Sequence, residues 1–153
     1  MLQPQGVKDR TMHKKIIEIA LSQIGIKEVV GKADNPEVLK YFDALGHDGS
    51  KLKDETAWCA AFVGWTAKQA GVCYSTRLNA RSYLHIGTKT TNPKQGDVAV
   101  LWREDRKSWK GHVGFYIREH KGWIYLLGGN QNNQVCIKAY PKSRLLEYRN
   151  ITN

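Results

Sequence analysis

Along residues 9–25, apolar side chains return every fourth position at Met12, Ile16, Ala20 and Ile24, and His13, Ile17 and Leu21 widen the stripe. That spacing predicts an amphipathic helix, with Gly25 as its stop. Asn35-Pro36 then breaks and restarts the chain, predicting a short helix over 36–45 and a polar, glycine-containing loop after it. The stretch "DETAWCAAFVGWTAKQAG" reads as a third helix, with Thr56 as N-cap, Cys59 as the third helical residue and Gly71 as the close. Beyond "TNPKQGD" the period falls to two, predicting strands over 97–102, 112–118, 123–127 and 134–140. Helices first and strands second predict an α+β architecture, with an antiparallel sheet packed on the cysteine helix. No repeat, linker or low-complexity segment interrupts the pattern, so residues 1–153 are expected to form a single domain.

Composition and the opening of the chain add four constraints. No run approaches the roughly 18 apolar residues of a membrane span, which predicts a soluble monomer without membrane insertion. The opening "MLQPQGVKDR" places Lys8, Asp9 and Arg10 where an export signal would have its apolar core, so synthesis in the cytoplasm without a signal peptide is expected. The net charge of +10 and pI near 9.6 call either for an anionic partner (nucleic acid, a membrane surface or the bacterial envelope) or simply for a solvated surface. The three cysteines, Cys59, Cys73 and Cys136, form no CxxC pair and are odd in number. Free thiols are therefore expected, with no disulfide framework, no metal and no cofactor.

A free cysteine is ordinarily a small core residue, but the start of a helix, with its open N–H groups, favours a thiolate. Cys59 is therefore a candidate nucleophile if a base stands near. His85 and His112 are the serious candidates, and His112 is the better placed, opening "GHVGFYIR" with Gly114 beside it. The turn "EHKGW" offers a three-residue loop, His120-Lys121-Gly122, ending in glycine as a type I turn plus bulge requires. In that register Glu119 faces Trp123 and His112 faces Asn130, whose amide could fix the imidazole tautomer. A two-residue loop would instead set Gly129 or Gln131 opposite His112.

With these residues in place, "WCAAFV", "GDVAVLW", "GHVGFYI" and "GGNQNN" together resemble the CHAP and NlpC/P60 cysteine peptidases of the papain-like superfamily, over nearly the whole chain. The resemblance implies Cys59 as nucleophile, His112 as base and then acid, and Asn130 as orienter, with Gln131 and Asn132 as alternative third members. Gly128 departs from the acidic residue often found two places before the asparagine. No upstream glutamine serves the oxyanion, so the N–H of Cys59 is the donor that can be named. Peptidoglycan is the implied substrate, through an endopeptidase or N-acetylmuramoyl-L-alanine amidase reaction.

Trp58, Trp102 and Arg103, with Gln131, are the candidate substrate-binding residues; Trp109, Arg77, Arg81 and Arg106 could join them in a groove for a carboxylate-bearing peptide. Trp58 and Trp102 are equally suited to the core. A phage lysin or a secreted antibacterial effector, acting at the wall or periplasm after release or injection, fits this reading. An effector would require an immunity or inhibitor protein. The rivals are a Cys-His amidase or transferase acting on another peptide or amine, and a non-catalytic basic module binding the envelope or nucleic acid. Glu104 and Asp105 interrupt the basic stretch "WREDRKSWKGH", which argues against nucleic acid.

Overall fold

The computed structural model describes residues 5–28, 35–48 and 58–152. Three helices, α1 (Gln5–Leu21), α2 (Pro36–Asp43) and α3 (Cys59–Ala70), precede a 3-10 helix (Ala80–His85). Six strands follow: β1 (Thr88–Thr90), β2 (Val98–Trp102), β3 (Gly111–His120), β4 (Trp123–Gln131), β5 (Gln134–Pro141) and β6 (Leu145–Asn150). They form one antiparallel sheet in the order β1-β6-β2-β3-β4-β5. The architecture is α+β, as the element pattern predicts. Among the described residues no helix is long and apolar enough to cross a membrane.

Each helix boundary has a local cause. In α2, Pro36 stands in the first turn, and the Asn35 side chain accepts the Glu37 N–H at 2.9 Å. Gly71 closes α3 in the left-handed region, at φ +78°. The start of α3 differs from expectation. Cys59 is the first helical residue and Trp58 holds the cap position without a side-chain hydrogen bond; Thr56 lies outside the described residues. In α1 the buried stripe runs through Asp9, His13, Ile16 and Ala20, while Ile24 is 47% exposed. The polar members of that stripe are buried because His13 reaches across to the sheet, its Nε2 standing 2.6 Å from Asp97 Oδ1.

Helix α3 is the hub of the main core. Phe62 meets Phe115 of β3 edge-on at 6.2 Å and Tyr41 of α2 at 5.3 Å, tying helix, sheet and neighbouring helix together. Strand β2 is buried on both faces: Val98 and Val100 join the helix-side core, while Ala99 and Leu101 join Ile124, Leu126, Tyr140 and Tyr148 on the far face. Two strands escape the period-two reading. β1 is only three residues long, and β6, in "LLEYRN", lies between β1 and β2 with Glu147 and Arg149 in its course.

Candidate active site

The first turn of α3 arrives where the sheet opens. Cys59 is 3% exposed, and its sulfur is met by the backbone N–H groups of Val113, Ala60 and Cys59 itself. The direction of the Val113 amide follows from the ladder. Tyr116 donates its N–H to Asp97 O on the β2 side, so alternation turns the Val113 N–H towards β4. The β3–β4 pairing extends only as far as Phe115 opposite Leu127, leaving that amide to the thiol. Gly129 makes this approach possible, since a Cβ there would stand 2.7 Å from Phe62 Cβ and 2.9 Å from the Trp58 ring.

His112, the residue before Val113, makes its hydrogen bonds through Nε2: Gln131 Oε1 lies at 2.9 Å and the Tyr140 hydroxyl at 3.2 Å. The orientation of the Gln131 amide follows from its other contacts, because its nitrogen donates to Leu126 O at 3.1 Å and Cys136 O at 2.7 Å. Its oxygen must then face the imidazole, so Nε2 carries the proton and donates it. Nδ1 is left with a lone pair, the state a proton acceptor requires. Tyr140 backs the ring at a centroid distance of 5.0 Å. Gly128 is again a condition of the arrangement: a Cβ there would stand 2.5 Å from Gln131 Oε1.

The expectation that Asn130 faces His112 is corrected here, for a reason that lies in the turns. The β3–β4 connection is a two-residue turn, with Lys121 and Gly122 at φ +47° and +81° and His120 opposite Trp123. A bulge between Tyr116 and Arg118 then shifts the register, so that Phe115 faces Leu127 as a three-residue loop would also give. A second irregularity, between Gly128 and Gln131 with Asn130 at φ +57°, brings Gln131 rather than Asn130 onto the histidine. Asn132 lies in the next turn at φ +53° and accepts from Lys138 Nζ at 3.4 Å.

The other candidates are dispersed. Trp58 is 1% exposed and stacks on Tyr41 at 5.9 Å, as a core aromatic. Trp102 is half-buried and donates its indole N–H to Ser143 O at 3.1 Å, fastening the end of β2 to the segment before β6. Arg103 is exposed, and its charge is felt by both Cys59 and His112. His85 is exposed at the end of the 3-10 helix. Tyr140, which the sequence did not mark as a site residue, touches the histidine; its place as the last residue of the predicted strand 134–140 was the only available signal.

Burial dominates the electrostatics. It pushes the Cys59 thiol above its ordinary range, although the helix-start amides, the Val113 N–H and Arg103 pull the other way. It pushes His112 down to about 4; the Gln131 bond opposes this, while Arg144, Lys138 and Arg103 add to it. The helix start therefore opposes, and does not outweigh, the effect of burial on the thiol. Burial thus disfavours the charged form of both Cys59 and His112.

The CHAP domain family matches residues 51–130, slightly more than half of the chain. No curated protein matches the sequence. Among solved structures, the fold is similar to a mutated form of the Resuscitation Promoting Factor Interacting protein RipA, at 16% identity and a TM-score of 0.60, covering 99% of this chain and 67% of that one. It is similar to NlpC1 from Trichomonas vaginalis at 12% identity and a TM-score of 0.54, over 99% of this chain and 46% of that one. A third likeness is to a lipoprotein-like member of the NLP/P60 family from Staphylococcus aureus, at 18% identity and a TM-score of 0.51, covering 94% and 42% respectively. At these identities the likeness speaks for the fold.

Proposed function

The chain belongs to the CHAP domain family, and on that premise we propose that it is a peptidoglycan hydrolase cleaving an amide bond with Cys59 as nucleophile, His112 as base and Gln131 as the group that fixes the imidazole. The observation that carries this reading is the Gln131 amide, clamped by two backbone carbonyls so that its oxygen takes the Nε2 proton and leaves Nδ1 basic.

On arrival of the substrate carbonyl, the Cys59 thiol passes its proton to His112 Nδ1 as sulfur bonds to the carbonyl carbon. As the sulfur bonds to carbon, the backbone N–H of Cys59, which meets the sulfur in the resting state, turns to the developing oxyanion. The imidazolium then protonates the departing amine, leaving a thioester on Cys59. Water, giving a proton to His112, attacks that thioester; the C–S bond breaks, the acid leaves and the imidazolium returns its proton to the sulfur. Throughout, Gln131 Oε1 holds the Nε2 proton, a bond that strengthens while the ring carries charge.

Purified peptidoglycan of several cross-link types, treated with the parent protein and with Cys59→Ala, tests this by mass spectrometry. New fragments from the parent alone support the reading and identify the bond cut. Intact walls with both, together with turnover of some other peptide or amine amide by the parent, would replace peptidoglycan as the substrate and retain the chemistry.

A further inference from the structure

A cavity of about 550 Å³ lies beside the candidate site, walled by the 3-10 helix and the β2–β3 connection, with Ser75, Arg77, Arg81, Ser82, His85 and Trp109 among its lining. Its inner wall is backed, through Ser75, by Tyr83. Tyr83, fully buried and close enough to Cys59 for their charges to interact, accepts the Ser75 N–H at 3.3 Å, and Ser82 donates to Ser75 Oγ at 2.7 Å. Its outer wall abuts the histidine strand: a Cβ on Gly111 would stand 3.3 Å from Arg81 Cγ.

Among the described residues the lining includes two arginines and no acidic residue. Nearby carboxylates are already engaged, for Asp105 accepts the N–H groups of Lys107 and Ser108, and Glu104 takes Lys110 Nζ at 2.6 Å. Arg81 is also committed, its guanidinium donating to Lys110 O, Arg106 O and Asp105 O. These bonds fasten the connection that carries Trp109, and all three acceptors are neutral carbonyls. Arg77 differs: its hydrogen bond among the described residues uses the backbone N–H, on Ser75 Oγ, and its side chain is exposed at the cavity. Trp109 is 73% exposed, the most exposed large apolar side chain among those described. A fork of free donors beside an open aromatic face suits a planar anion joined to an apolar or ring-bearing body.

We propose that this cavity is the subsite that takes the carboxylate-bearing end of a peptide substrate, with Arg77 gripping the carboxylate and Trp109 covering the adjoining part of the chain. The proposal rests on the hydrolase reading for the identity of the peptide as a wall stem. The site itself is testable without turnover.

Cys59→Ala protein is titrated calorimetrically with a synthetic stem tetrapeptide whose one free carboxylate is at its C-terminus, and with the same peptide amidated there. The acid should bind at least tenfold more tightly than the amide. Adding Arg77→Gln should abolish that preference, while Trp109→Ala should weaken both peptides alike. Equal binding of acid and amide, no binding of either, or a preference that survives Arg77→Gln would overturn the subsite. Wall hydrolysis by the parent protein is followed separately. Acid-selective, Arg77-dependent binding with walls left intact would keep the subsite and remove peptidoglycan hydrolysis.

Discussion

Replacing Gln131 with methionine keeps its length and removes every polar contact it makes. The amide is 1% exposed and spans His112 Nε2 at 2.9 Å, Leu126 O at 3.1 Å and Cys136 O at 2.7 Å. In the resting state the histidine bond joins neutral groups, but during proton transfer it joins an imidazolium to an amide oxygen. Hydrogen bonds to charged groups contribute about 1.5–3 kcal/mol. At about 1.4 kcal/mol per factor of ten, Gln131→Met should lower kcat roughly 10- to 150-fold with KM little changed. Stability should fall by about 1–3 kcal/mol, because two buried carbonyls lose a donor. Fragment release from purified walls gives the kinetics, and urea unfolding gives the stability. Gln131→Asn, one methylene short, should behave like the methionine variant. Asn130→Gly retains a residue suited to φ +57° and should turn over within about threefold of the parent. A larger loss in Asn130→Gly than in Gln131→Met would refute the assignment of the third group.

Cys59→Ala should abolish turnover, whereas Cys73→Ala and Cys136→Ala should retain it, since Gln131 is held by the backbone oxygen of Cys136 and Cys73 is exposed; rates of the three single variants decide this. With His112 lowered to about 4, the base stays unprotonated at neutral pH, so kcat/KM should fall only as pH drops through that value. Arg144→Gln removes a cation that disfavours the imidazolium and should move this acid limb to higher pH; a parent limb near pH 6–7 would contradict the order of effects. Site-resolved alkylation of Cys59 by iodoacetamide should rise continuously above pH 8, because the thiol is raised, and a reactive plateau extending to pH 5 would instead reveal a resting ion pair. Burial lowers the His13 pKa, but Asp97 and Asp9 outweigh it and leave the group raised above 6.5. Its stabilisation is full below pH 6.5 and lost as pH rises through the folded value, so His13→Gln should flatten the pH dependence of urea stability between pH 6.5 and that value.

The helices and the four strands β2 to β5 were legible because each buries one regular face or sits between strong turn signals. β6 was not, since a central strand bearing Glu147 and Arg149 lacks the apolar run that its place suggests. Its charges are accommodated locally: Arg149 donates to Ile86 O and Gly87 O, both at 2.9 Å, and also stands 3.6 Å from Glu147. The expected Thr56 cap placed Cys59 two positions too deep in its helix. Cysteine at the very first helical position has its own N–H and that of Ala60 on the sulfur, which periodicity of the apolar face could not distinguish.

The histidine's partner is Gln131, an alternative in the sequence reading, rather than Asn130, its first choice, and the one-residue difference follows from how register propagates. A hairpin loop fixes the pairing only until the first bulge, and here two irregularities intervene between Lys121-Gly122 and the histidine's partner. The stronger signal was the glycine pair. A polar turn has no need of Gly128 and Gly129 in the interior of a strand, where each forfeits packing. Both are explained once two buried groups must come close: the Gln131 amide over Gly128, and the Trp58–Phe62 surface of α3 against Gly129. Gly129→Ala should therefore push the start of α3 from the sheet and separate Cys59 from the Val113 N–H, whereas Gly128→Ala should displace Gln131 and leave α3 seated. Alkylation of Cys59 tells the two apart, because the thiol's surroundings change in the first variant and are retained in the second, while turnover falls in both. Unchanged thiol reactivity in Gly129→Ala would mean that the close approach of helix and sheet does not set the environment of the thiol.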